Sequence, residues 1–360
     1  MSQQTIEPAA AFADQLFERY IAAMETLEVY IGDRLGLYEA LAEHGPLSSG
    51  ELAKRTGTNE RYAREWLEAQ AAAAILEVDD ADAGPQERRF SLPAEHAEVL
   101  AGRDSLDYLA PVARMIAGSA MALPQVLDAF RTGGGVPWTA YGADGREGQS
   151  DLNRPLFLNL LGSEYLPSIA DVHERLSAGA RVADIACGGG WSSIGIARAY
   201  PNVQVDGYDL DEASIDLARA NAADYGVSDR VRFHVADAGD PNLDGSYDLV
   251  TVFEALHDVS HPVELLATTR RLAGADGAVV VMDERVADSF SAPGDEVERF
   301  MYGWSVLMCL PAGMDDHHSA GTGTVMRAHT VRDYASEAGF ADVEVLPIEN
   351  DFFRFYRLIQ

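Results

Sequence analysis

Residues 181–197, Arg-Val-Ala-Asp-Ile-Ala-Cys-Gly-Gly-Gly-Trp-Ser-Ser-Ile-Gly-Ile-Ala, constrain the fold more than any other stretch. The apolar run 182–187 predicts a buried strand. Three glycines then demand a tight turn, and from Trp191 the apolar spacing is that of a helix. Such a turn lets a ligand approach bare backbone beside the unpaired N–H groups of a helix N-terminus. Asp184 sits inside the strand, where a carboxylate would repel phosphate and suits a ligand that carries a cation.

Three more strands follow with the same ending. Residues 203–208 run into Asp209, nineteen positions past Gly190, the distance at which an acid meets ribose hydroxyls in a strand–helix–strand nucleoside site. Residues 231–235 end in Ala236-Asp237-Ala238, and 247–252 end in Phe253-Glu254-Ala255-Leu256-His257-Asp258. Ligands of open parallel sheets bind outside these carboxyl ends.

Asp-Ile-Ala-Cys-Gly-Gly-Gly, Tyr-Asp-Leu-Asp, Ala-Asp-Ala and Phe-Glu-Ala-Leu-His-Asp, in that order, resemble the class I S-adenosylmethionine-dependent methyltransferases over residues 155–360. The family's first turn has glycine where this chain has Ala186. The resemblance implies an α/β fold: a Rossmann-like sheet of seven strands, mostly parallel with an antiparallel last strand. It also implies S-adenosylmethionine as cofactor, held by Asp184, Ala186, Gly188, Gly190, Asp209, Leu210, Asp237, Ala238 and Phe253. Asp184 would accept the methionine ammonium, Asp209 the ribose hydroxyls and Asp237 the adenine amino group, with Ala238 leaving room for the ring. Leu-His-Asp looks like the catalytic motif of small-molecule O-methyltransferases. That makes His257 the candidate general base, oriented by Asp283, although Val259 stands where those enzymes usually have tryptophan. No metal is required, because a sulfonium is already an activated methyl donor. His317-His318 beside Asp315-Asp316 does not form a zinc set, since neighbouring loop side chains rarely converge.

Composition bounds the rest. The chain has 360 residues, 47% of them hydrophobic, with a formal net charge of −31 and a single lysine, Lys54. Such a surface repels nucleic acid and anionic membranes, and suits molar salt, where self-repulsion is screened within about 3 Å. No apolar run approaches the roughly 18–20 residues of a membrane span. The start lacks the basic and apolar regions of a signal peptide, and Cys187 and Cys309 make no disulfide framework. The expectation is a cytoplasmic protein.

Three domains are expected: 1–100 for dimerisation, a helical connector 101–154, and a catalytic domain 155–360 with a lid insertion at 289–323. Phe12, Phe17, Tyr20, Ile21, Met24 and Leu27 recur at helical spacing and read as core-facing, within one chain or between two. Residues 45–100 read as a winged helix-turn-helix. Ser48 and Glu51 form a capping box, Asn59 caps the second helix, and 77–92 fits a hairpin wing. DNA binding through Arg61 and Arg64 is disfavoured, because six Lys/Arg face eleven Asp/Glu in this segment. The arrangement resembles the N-terminal dimerisation domain of small-molecule O-methyltransferases. In the connector, helices at 108–116 and 121–130 are expected to break at Gly133-Gly134-Gly135, followed by a polar segment to Asp151 and a helix over 156–176. Thr330 reads as the cap of a helix over 331–338.

The resulting expectation is a methyltransferase acting on a small-molecule acceptor, an oxygen for preference, by in-line displacement, as a homodimer without nucleic acid or membrane partners. Two alternatives stay open. Gly188-x-Gly190 with Asp209 partly imitates a dinucleotide fingerprint, as in a nicotinamide-dependent oxidoreductase. A winged-helix transcriptional regulator with a ligand-sensing Rossmann domain also fits the order of segments.

Overall fold

The computed structural model describes residues 8–360. The chain divides into two compact units, 1–117 and 118–360.

In the first unit a long helix, Pro8–Arg34, precedes Leu37–His44, Ser49–Thr56 and Glu60–Ala72. The capping box is formed: Ser48 Oγ accepts from the Glu51 N–H at 3.4 Å and Glu51 accepts from the Ser48 N–H at 2.8 Å. Asn59 caps the next helix by accepting from the Arg61 N–H at 3.0 Å. Strands β1 (Glu77–Val78) and β2 (Phe90–Ser91) pair antiparallel as the wing, and Leu47 bridges to Phe90. Leu37, Tyr38, Leu52, Leu67 and Phe90 close a small core. The apolar stripe of the first helix departs from its core reading within the chain. Phe12, Phe17, Tyr20, Met24 and Leu27 are 44–62% exposed. A helical period shows that a face is apolar, not what covers it.

The second unit is built on a seven-stranded sheet: β3 (Arg181–Ile185), β4 (Gln204–Asp209), β5 (Val231–Val235), β6 (Leu249–Phe253), β7 (Ala278–Glu284), β8 (Asp342–Val345) and β9 (Phe353–Ile359). The order is β5-β4-β3-β6-β7-β9-β8, parallel except for β9, which runs antiparallel to β7 and β8. Helices cover both faces. Val182, Ile194, Ile215 and Phe233 belong to one apolar layer, and Ile185, Val250, Leu266 and Val331 to the other. β3 pairs with both β4 and β6, so the order reverses there, and a crevice opens at the carboxyl ends of these strands.

Several connector elements differ from expectation. Ala110–Thr132 is one continuous helix with Pro124 inside it. The polar segment is the helix Gly142–Leu156. The helix expected over 156–176 is divided: a wide-turn stretch, Phe157–Tyr165, leads to Leu166–Ser168, and Ala170–Ala178 follows a break at Ile169. The late helix is Ala328–Glu337, so Thr330 lies inside its first turn rather than capping it. No helix among the described residues is long and apolar enough to cross a membrane.

Candidate methyl-donor site

The glycine turn takes the conformation its residues demand. Gly188 and Gly190 have φ of 50° and 78°, and a side chain at Gly188 would point into open space. Ala186 also has a positive φ, 55°. An L-residue pays steric strain there, which is why a glycine fits this first position. Gly190 caps the helix Trp191–Ala199, whose first turn therefore faces the crevice.

Asp184 lies beneath this turn, 1% exposed. Ser192 Oγ and Ser193 Oγ each donate to its Oδ2 at 2.6 Å, and Thr251 Oγ1 donates to Oδ1 at 2.8 Å. Burial raises its pKa and these hydroxyl bonds oppose the rise. The carboxylate thus ties β3 to the following helix and to β6. It does not line the cavity above.

That cavity, of about 740 Å³, is lined by Ala186, Gly188, Asp209, Leu210, Asp237, Ala238 and Phe253. Asp209 Oδ2 accepts from the Gly188 N–H at 2.8 Å and Oδ1 from the Asp211 N–H at 2.9 Å. Burial lifts its carboxyl, while these two bonds pull the other way. Leu210 is 70% exposed beside it. Asp237 is exposed and accepts from the Gly239 N–H at 2.7 Å. Phe253 stacks on Phe157 with ring centroids 5.9 Å apart. Gly190 helps build the turn without lining the cavity.

His257 is held by two acids. Its Nδ1 lies 3.0 Å from Asp283 Oδ1 and 2.9 Å from Glu284 Oε2, all three residues being buried. Burial works against charge on the ring, but Glu284 and Asp283 outweigh it and push the pKa well up. Burial lifts Glu284 far above the carboxylate range. Burial also opposes ionisation of Asp283, yet His257 and the neighbouring hydrogen bonds bring it below its usual value. Burial raises the pKa of the Cys309 thiol, from the insertion, and the neighbouring His257 opposes that rise. Asp283 therefore stands where it can orient the imidazole, but neither residue lines the cavity.

The insertion folds as the helix Glu296–Trp304, a wide-turn stretch Ser305–Cys309 and the short turn Leu310–Gly313. Met301, Trp304 and Met308 are buried, while Ala312, Asp315 and Asp316 reach the cavity wall. Asp316 pairs with His261 at 3.0 Å.

Sequence reasoning overlooked three cavity residues that act together. Glu254, with φ of 50°, accepts at Oε2 from Asn153 Nδ2 and from Gln149 Nε2, the latter at 3.4 Å. Burial raises its pKa to about 8, with Asp283 and Asp258 adding and His257 opposing. Glu254 could have been found as the residue directly after Phe253. Gln149 and Asn153 lie on the helix Gly142–Leu156, most of which reads in sequence only as a polar segment to Asp151.

Two family models match. Residues 176–312 match a methyltransferase domain, and residues 23–102 match an Rv2258c-like winged HTH domain. A ubiquinone biosynthesis O-methyltransferase of Aromatoleum aromaticum is 30% identical over 174 residues, 47% of this chain and 67% of that protein. The chain belongs to the class I S-adenosylmethionine-dependent methyltransferases. Its methyl donor is S-adenosylmethionine, which leaves no place for the nicotinamide alternative. The corresponding enzyme of Pseudomonas aeruginosa is 28% identical to this methyltransferase over 185 residues, 50% of this chain and 73% of that one. Among solved structures, human N-acetylserotonin methyltransferase in complex with SAM is similar in fold (TM-score 0.73, 16% identity, 100% of this chain and 99% of that one). So is mitomycin 7-O-methyltransferase (TM-score 0.72, 19% identity, 98% of each chain).

Proposed function

We propose that this methyltransferase transfers a methyl group to an oxygen of a small molecule by in-line displacement. The observation that carries the reading is the bond from the Gly188 N–H to Asp209 in the cavity wall, which braces a carboxylate beside bare backbone. The residues present fit the donor: an open turn at Gly188, an acid at the ribose distance, and small Ala238 beside Asp237. Asp209 would receive the ribose hydroxyls and Asp237 the adenine amino group. Leu210, Ala238 and Phe253 would flank the apolar parts. Asp184 would fix the turn from below rather than touch the donor.

S-adenosylmethionine, when bound, supplies a methyl group already activated on sulfur. The protein's task is then to align the acceptor, exclude water and take a proton. We assign the proton to His257. With Nδ1 held toward Asp283, Nε2 is the nitrogen left to accept it. The oxygen preference follows the relatives, whose names specify O-methylation.

Residues 8–34 would pair with the same helix of a second copy, because a face carrying Phe12, Phe17, Tyr20 and Met24 is large for a free surface. The winged helix would support that assembly rather than DNA contact. Arg61 is paired with Glu65, and Arg64 lies 3.5 Å from Glu60.

Calorimetric titration with S-adenosylhomocysteine, followed by labelled-methyl transfer to a panel of small phenols and alcohols, tests the reading. Micromolar binding and O-methyl products are expected. Absence of binding at both low and molar salt would remove the donor site.

A further inference from the structure

Glu254 is the first residue beyond β6, whose pairing with β3 (Ile185 opposite Val252) sets it across from the glycine turn. Its left-handed backbone is disfavoured for an L-residue and persists only where surroundings enforce it. Those surroundings are specific. Asn153 and Gln149, one helical turn apart, both donate to Oε2, and Oε1 has no protein donor among the described residues. Of the cavity-lining residues only Arg146 is an arginine, and it lies 3.7 Å from Asp211. His257 is turned to Asp283 and Glu284, and the other charges near Glu254, Asp258 and Asp283, are acids. Glu254 is thus a braced carboxyl in the wall of the cavity, and the cationic ring that influences it, His257, is already held by two other acids. Asp184, the acid expected to meet a cation, is closed off by three hydroxyls.

We propose that Glu254 receives the ammonium group at the amino-acid end of the methyl donor and so selects donors that carry it. The proposal rests on the cavity being the donor site. One consequence is linked to protons. Burial holds Glu254 at about 8 without ligand, so at pH 7 it is mostly protonated. An ammonium beside it favours the carboxylate, and binding then releases close to one proton to the buffer.

The test is calorimetry on the full chain at pH 7, with S-adenosylhomocysteine and with 5′-methylthioadenosine, which lacks the amino-acid end. Two buffers of unlike ionisation enthalpy report the proton. Wild type is expected to release a proton with the first ligand and none with the second. Glu254→Gln is expected to bind S-adenosylhomocysteine at least tenfold more weakly, with the proton release gone and 5′-methylthioadenosine affinity unchanged. Equal weakening for both ligands, or wild-type binding without proton release, overturns the proposal. If Glu254→Gln does not fold, the wild-type buffer comparison decides alone. If neither ligand binds wild type, the donor-site reading itself fails, and this inference with it.

Discussion

Asp209 reaches back across the sheet to hold the Gly188 N–H at 2.8 Å, so the acid at the end of β4 shapes the turn after β3. On the proposed reading, one side chain would serve both the turn and the ribose hydroxyls. Asp209→Ala should lower S-adenosylhomocysteine affinity at least 100-fold. It should also cost about 1–2 kcal/mol of stability through the two lost backbone bonds. Calorimetry and thermal unfolding read the two effects separately, and near wild-type affinity would sink the ribose assignment.

Ala186 carries a strain that its own sequence position advertises, since glycine is the residue suited to φ of 55°. Ala186→Gly relieves the clash of Cβ with backbone but gives the unfolded chain more freedom. The balance should stabilise the protein by up to about 1 kcal/mol, seen as a higher denaturant midpoint with an unchanged slope. A lower midpoint would mean that the Ala186 methyl packs usefully against the cavity wall.

What could be read in the sequence was what periodicity and punctuation encode. Strand β5 matches its expected span, and Asp209, Asp237 and Phe253 stand at strand ends because buried runs must stop where solvent begins. The helix Gly142–Leu156 escaped notice because its glycines and polar residues give no apolar stripe, although Gln149 and Asn153 lie on it. The partner of Asp184 was equally hidden. Serine hydroxyls eight and nine residues later look no different, in sequence, from solvent-facing ones.

His257 makes a pH prediction with a definite sign. A base must be unprotonated to act, and Glu284 and Asp283 favour the protonated ring. The kcat/KM should therefore rise on the alkaline side of the ordinary histidine range, and His257→Ala should lose both that limb and at least about 100-fold in turnover. S-adenosylhomocysteine affinity should barely move. A variant that kept the limb would show that another group takes the proton.

The exposed stripe of the first helix sets the last prediction. Phe17 and Met24 are each more than half exposed on Pro8–Arg34, seven positions apart and so on one face. If a second copy covers them, a charge at either site would be desolvated without a partner, which an interface tolerates poorly. Phe17→Asp and Met24→Asp should each shift the protein from dimer to monomer in light scattering at micromolar concentration. The winged-helix core should survive in both variants, because neither residue belongs to its buried cluster. A wild-type protein that is monomeric at every concentration would remove the dimer, and would leave the stripe to a partner other than this chain.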